Sequence, residues 1–125
     1  MLTDLQKLFR EEVMLTNQGM VAQFMKKYGL SLNPRIVDTR FVRARLILEE
    51  ATELIIGMQE HDRAQVIDAV ADLLYVCDGA ACLYDFNADE AFRRVHASNM
   101  TKGQDTGHGK LLKGPSWVPP DFTGL

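Results

Sequence analysis

Five carboxylates stand in two stretches of sequence that are otherwise largely apolar. Three are glutamates and two are aspartates, namely Glu49, Glu50, Glu53, Asp68 and Asp72. At about 100° per residue on a helix, the glutamates fall within little more than one quadrant, and the two aspartates share a face. A short turn at His61–Arg63 makes the two helices antiparallel and leaves both groups at comparable distances from it. We therefore predict that the five carboxylates meet across one helix–helix contact.

Such a cluster is unfavourable by itself, because like charges in a partly dry contact raise one another's pKa and weaken the helix pair. A divalent cation relieves the repulsion, and oxygen ligands without His or Cys select hard ions, Mg²⁺ first and Mn²⁺ or Ca²⁺ next. In the alternative, the glutamates form a solvated face paired with Arg43, Arg45 or Arg63. We favour the metal site, since the neighbouring residues are apolar and few basic residues are available. The Glu-x-x-His units of a di-iron carboxylate bundle are missing.

A second group of residues could bind the phosphates of a substrate. It comprises Asn99, Lys102, Lys110 and Lys113. Glycines between the lysines allow backbone N–H groups and ammonium ions to approach a polyphosphate. The stretch is not a P-loop, because Gln104 and Leu111 occupy the positions that require Gly and Ser or Thr. A flexible basic tail that only keeps the chain soluble remains the alternative.

Hydrophobic spacing predicts the helices that position these residues. They are Thr3–Tyr28, with a possible break at Asn17–Gly19 and a C-cap at Gly29, then Thr39–Glu60 capped by Asp38 or Thr39, Ala64–Tyr84 and Asp89–Thr101. Glycines and prolines make 103–125 an irregular tail, in which we expect Trp117 to clamp the segment down rather than stack on a base. We predict an all-α fold: one domain over 1–125, a four- to five-helix bundle over 1–102, and the tail.

The second and third predicted helices are apolar nearly all round. A helix of this kind is buried on all sides, and four helices cannot enclose two of their own number. We therefore expect a homo-oligomer, a dimer or tetramer, to complete the core.

Composition excludes several classes of protein. The chain has 125 residues, 14 Lys+Arg against 17 Asp+Glu and a net charge of −3, which argues against a general nucleic-acid binder. The apolar run Val66–Tyr84 is interrupted by three aspartates, which argues against a membrane span. No secretory signal is visible over Met1–Glu12. Cys77 and Cys82 would face away from each other on a helix, so we expect buried, unbridged thiols and a cytoplasmic protein.

The acidic stretches resemble those of a known superfamily. Leu48-Glu-Glu-Ala-Thr-Glu-Leu54 resembles the E-E-x-x-E helix of the all-α nucleoside triphosphate pyrophosphohydrolases, the MazG-like superfamily. Asp68-Ala-Val-Ala-Asp-Leu-Leu-Tyr75 lies where its second acidic motif belongs. The stretch from Val95 to Lys102, followed by Gly-Lys-Leu-Leu-Lys-Gly-Pro-Ser-Trp, is similar to the phosphoribosyl-ATP-pyrophosphohydrolase-like branch. The resemblance covers about Met20 to Phe122.

The resemblance implies hydrolysis of a nucleoside triphosphate between its α- and β-phosphates, giving a monophosphate and pyrophosphate. By analogy Glu50, Glu53 and Asp72 would hold Mg²⁺, with Mn²⁺ as a substitute, and Glu49 would orient or deprotonate the attacking water or join a further metal. The second motif usually has Glu where this chain has Ala69, so Asp68 would have to take that role. Two alternatives remain: a phosphoribosyl-ATP hydrolase of histidine synthesis, and a non-catalytic helical oligomer that binds a structural ion.

Overall fold

The computed structural model describes residues 16–103 and 111–125. Within these ranges the chain forms helices and no strand, so the predicted all-α class is confirmed. The helices are α1 (Asn17–Lys27), α2 (Val37–Gln59), α3 (Arg63–Leu83) and α4 (Ala88–Asn99). None of them is long and apolar enough to cross a membrane.

Side-chain caps and a left-handed glycine set the limits of α1. Thr16 Oγ1 accepts a hydrogen bond from the Gly19 N–H at 3.0 Å, which begins the helix at Asn17, inside the predicted break. Gly29 has φ +61°, a conformation that favours glycine, and lies just beyond the end of the helix as predicted. The part of the first predicted helix that precedes Thr16 lies outside the described residues.

The start of α2 differs from the prediction. The helix begins at Val37 with Ile36 as its N-cap and no side-chain capping bond, so the expected cap at Asp38 or Thr39 is wrong. Asp38 instead lies in the first turn, where its charge favours the positive end of the helix dipole. After the end of α2, the side chain of Asp62 accepts a hydrogen bond from the Gln65 N–H at 3.2 Å, and α3 begins at Arg63.

A close approach near the turn fixes the register of the antiparallel α2–α3 pair. A Cβ on Gly57 would lie 3.1 Å from Gln65 Cγ and 3.3 Å from the backbone nitrogen of Val66. Gln65 Nε2 also donates to the carbonyl of Glu53 at 2.9 Å, joining the two helices across the contact. A side chain at position 57 would push these neighbours away by a few tenths of an ångström, so glycine favours this close approach.

The fully buried apolar side chains are few in the described residues. They are Val21, Met25, Ala69, Ala81 and Leu83. By contrast Phe41 and Leu48, seven residues apart on α2, are 70% and 67% exposed, and Ile67 and Leu74 repeat this spacing on α3 at 53% and 52%. An apolar stripe of this kind is typical of a surface that another chain covers, so the oligomer stays a prediction with support from this exposure. Cys77 and Cys82 are free as expected, but Cys77 is exposed, so its predicted burial is wrong.

The chain divides into two compact units, Met1–Asp85 and Phe86–Leu125. In the second unit the irregular segment is tied to α4 and its end by hydrogen bonds. Ser98 Oγ donates to the Val118 carbonyl at 2.6 Å, and the Val118 N–H donates to Thr101 Oγ1 at 2.8 Å. Arg94 Nη1 donates to the carbonyls of Asp121 and Thr123 at 3.0 and 2.8 Å. The segment thus groups with α4, while the predicted single domain with a boundary at 102 remains a prediction.

Candidate metal and nucleotide site

Glu50 is the carboxylate most affected by its surroundings in the first unit. Its side chain is partly buried, and its Oε2 is shielded from solvent without a hydrogen-bond partner. Burial raises the pKa of Glu50 first, and the negative charge of Asp72 raises it next. The negative charges of Glu53 and Asp68 act in the same direction. Glu50 is therefore a carboxylate that its neighbours disfavour as an anion.

The structure thus brings together four of the five predicted acids around one position. Glu53 precedes the turn and Asp68 follows it, while Asp72 lies opposite Glu50 in the α2–α3 register. In the described part of the chain no group of three or more His, Cys, Asp or Glu side chains is arranged as a ready metal cage. Mg²⁺ keeps several waters and uses only one or two carboxylates, so it does not need such a cage. The donor set, a shielded carboxylate oxygen of Glu50 beside the carboxylates of Glu53, Asp68 and Asp72, fits a hard divalent cation.

Glu49 lies apart from this group. Its carboxylate is 3.8 Å from Arg45 Nε, one turn away on α2, and the two side chains are 56% and 69% exposed. Glu49 is also absent from the groups that shift the pKa of Glu50. The solvated ion pair that the sequence offered as an alternative is therefore found for this one glutamate, and its catalytic role stays a prediction.

Position 69, where the second acidic motif usually has Glu, is buried in this chain. Ala69 is 1% exposed, so a glutamate there would have to bury its carboxylate. Asp68, the preceding residue, is exposed on α3 and its charge reaches Glu50. Its substitution for the usual glutamate remains a prediction that this geometry favours.

The predicted phosphate-binding residues belong to the second unit. Asn99 is exposed at the last position of α4, and its carbonyl accepts a hydrogen bond from the Lys102 N–H at 3.2 Å. Lys113 Nζ lies 4.4 Å from the centre of the Trp117 ring, a cation–π contact. Lys110 lies outside the described residues. Trp117 is partly buried and its Nε1 is shielded without a partner, which agrees with the expected clamp.

Sequence reasoning gave Arg43 no functional role beyond a possible ion pair with the glutamates. The residue is partly buried and stands seven positions before Glu50, as Glu50 stands seven before Gly57. This spacing puts all three on the face of α2 that meets α3 and could have identified Arg43.

Comparison with known proteins gives one family. A model of the phosphoribosyl-ATP pyrophosphohydrolase family matches residues 2–99, which include the five acids and Asn99 but none of the three lysines. A search of curated proteins found no match. The match covers more than half of the chain and the whole α2–α3 pair. The chain therefore belongs to the phosphoribosyl-ATP pyrophosphohydrolase family, part of the MazG-like all-α superfamily, and is a pyrophosphohydrolase that acts on acid anhydrides.

Proposed function

We propose that the protein hydrolyses the α–β phosphoanhydride bond of a nucleoside triphosphate, which could be a deoxynucleotide, with Mg²⁺ as its cofactor and Mn²⁺ as a substitute. The observation that carries this proposal is Glu50, a shielded carboxylate beside Glu53, Asp68 and Asp72, with no cation among the groups that shift its pKa. A triphosphate brings further negative charge to these acids, so enzyme and substrate repel each other unless a cation lies between them.

Each residue of the site has a role in this proposal. Glu50, Glu53 and Asp72 would hold the cation, directly or through its bound waters, and Asp68 would complete the set. Bound there, Mg²⁺ would lower the pKa of a water molecule and neutralise charge on the departing pyrophosphate. Glu49 would orient or deprotonate that water. Its exposed pairing with Arg45 at 3.8 Å is weak, so leaving Arg45 costs little.

The lysines would act on the phosphates. Asn99, Lys102, Lys110 and Lys113 would bind the polyphosphate and exclude bulk water. Lys113 would give up its cation–π contact with Trp117 to do so. Because the family match ends at residue 99, this role rests on the chemistry of the residues and on the resemblance of the segment.

The family's name favours a specific second candidate, phosphoribosyl-ATP of histidine synthesis. This compound also carries a triphosphate, so the bond cleaved and the acids required are the same. The apolar residues that would contact its base and its second ribose decide between the two substrates. A non-catalytic helical oligomer is the weaker alternative, since the chain is a pyrophosphohydrolase by family.

A substrate panel tests the proposal. Purified protein with Mg²⁺ is given NTPs, dNTPs and phosphoribosyl-ATP, and pyrophosphate is detected directly. Glu50→Gln is the inactive variant, and Glu60→Gln makes the same chemical change at the exposed C-cap of α2. We expect release of pyrophosphate from wild type and Glu60→Gln only. Rescue of a histidine auxotroph would identify phosphoribosyl-ATP as the substrate. If no substrate gives more pyrophosphate with wild type than with Glu50→Gln, the proposed activity is refuted.

We further propose that the protein works in the cytoplasm as a homodimer or homotetramer. The exposed apolar residues of α2 and α3, with Phe41 and Leu48 about two-thirds exposed, support the assembly. Two free thiols support a reducing compartment.

A further inference from the structure

Arg43 lies in the α2–α3 contact at the end remote from the turn. A Cβ on Gly79 of α3 would stand only 3.0 Å from Arg43 Nη1, so the guanidinium occupies the space that a side chain at position 79 would fill. Gly79 is itself buried. The absence of a side chain there is what admits the arginine between the helices.

The guanidinium has no partner among the residues that the structure describes. The ion pairs there join Arg45 to Glu49 and two other arginines to Glu90, and Arg43 takes part in none of them. It also makes no hydrogen bond to another described residue. A partly buried cation without a counter-charge is unfavourable, and a guanidinium presents a planar set of donors that suits a phosphate. Arg43 is therefore a cation that no described residue of the chain neutralises, and an anionic group of the substrate can pair with it.

Its place relative to the acids gives the identity of that anion. Arg43 precedes Glu50 by seven residues, and Gly79 follows Asp72 by seven, so the guanidinium is about two helical turns, or about 10 Å, from the acids along the same contact. Two metal–oxygen bonds, from the acids to the cation and from the cation to the substrate, and one charge-assisted hydrogen bond together take up about 7 Å of this distance. The remaining distance of about 3 Å is a span that oxygens of two linked phosphates can bridge.

We propose that Arg43 binds a phosphate of the pyrophosphate portion of the substrate, at the far end of the group whose near end the metal holds. This inference rests on the proposed function. The α2–α3 contact then carries a positive group, Arg43, at one place and the acids around Glu50 at another. The two together would orient the substrate along the helix pair.

The test measures binding of inorganic pyrophosphate to the full chain in Mg²⁺ by calorimetry. Arg43→Ala is compared with Arg40→Ala, which removes the same charge from an exposed position of α2 where the guanidinium donates to the Pro34 carbonyl at 3.3 Å. Because hydrogen bonds to charged groups are strong, we expect Arg43→Ala to raise the Kd about ten- to a hundredfold. Arg40→Ala should leave it within about twofold.

Gly79→Ala provides a second variant that keeps the charge. Its methyl group would stand 3.0 Å from Nη1 and make the guanidinium shift, so the Kd should rise although the arginine is intact. If Arg43→Ala lowers the Tm, its weaker binding could come from lost stability, and Gly79→Ala then tests whether Arg43 binds pyrophosphate. A pyrophosphate Kd unchanged in both variants overturns the inference while the proposed function stands. Wild-type protein that neither binds pyrophosphate nor cleaves any nucleotide refutes the proposed function, and the inference with it.

Discussion

Replacing Glu50 by glutamine should have opposite effects on stability without and with Mg²⁺. In the metal-free protein the glutamate is disfavoured by burial and by the charges of Asp72, Glu53 and Asp68, and its Oε2 has no hydrogen bond to lose. Glutamine has nearly the same shape, carries no charge and supplies an N–H₂ group that can donate to those carboxylates. We therefore expect Glu50→Gln to raise the Tm in EDTA by about the effect of one hydrogen bond, roughly 3 to 5 °C.

In Mg²⁺ the wild type should have a higher Tm than Glu50→Gln. An ion present at about 100 times its Kd stabilises the folded state by about 2.7 kcal/mol, roughly 10 °C in Tm for a chain of this size. Glu50→Gln removes a predicted ligand, so its Tm should move by less than about 3 °C under the same conditions. The assay is thermal unfolding in EDTA and in a Mg²⁺ series, with Glu60→Gln as the control at an exposed C-cap.

The pH dependence gives an independent check on the same residue. A carboxyl whose pKa is raised on folding stabilises the protein below its unfolded pKa, and this contribution is lost as the pH rises through the folded pKa. The Tm advantage of Glu50→Gln in EDTA should therefore shrink as the pH falls from 7 towards the ordinary Glu value of 4.5. A lower Tm for Glu50→Gln in EDTA, or an equal Mg²⁺ shift in both proteins, would refute the reasoning.

Three further predictions concern the core, the assembly and the phosphate-binding segment. Met25→Ala should lower the free energy of unfolding in urea by about 2–5 kcal/mol, because Met25 is 1% exposed. Met58→Ala, at a residue that is 60% exposed, should lower it by less than about 1 kcal/mol in a monomer. Equal losses in the two variants would contradict the core described above. Leu48→Glu should shift the light-scattering mass towards the 14.1 kDa monomer, and an unchanged oligomer would remove α2 from the interface. Lys113→Ala should raise KM about tenfold with little change in Tm, and the reverse pattern would make the lysine structural.

Much of the fold could be predicted because it depends on periodicity along one chain. The spacing of apolar residues gave the all-α class, and the turn before Arg63 gave the antiparallel α2–α3 pair. The helix start at Val37 could not be found from cap residues, since Ile36 makes no side-chain cap there and Asp38 acts within the first turn instead. Local signals are weaker where tertiary packing sets the boundary.

The sequence by itself determined which acids share a face, because about 100° per residue fixes angles around a helix whatever its neighbours are. Only the tertiary structure decided how the two faces combine. It set Glu50 against Asp72 and placed Arg43 over Gly79. These outcomes depend on how closely two helices approach and in what register. Contacts between side chains that are distant in sequence fix that register. The closest of these contacts lie at glycines, which have no side chain to keep the helices apart.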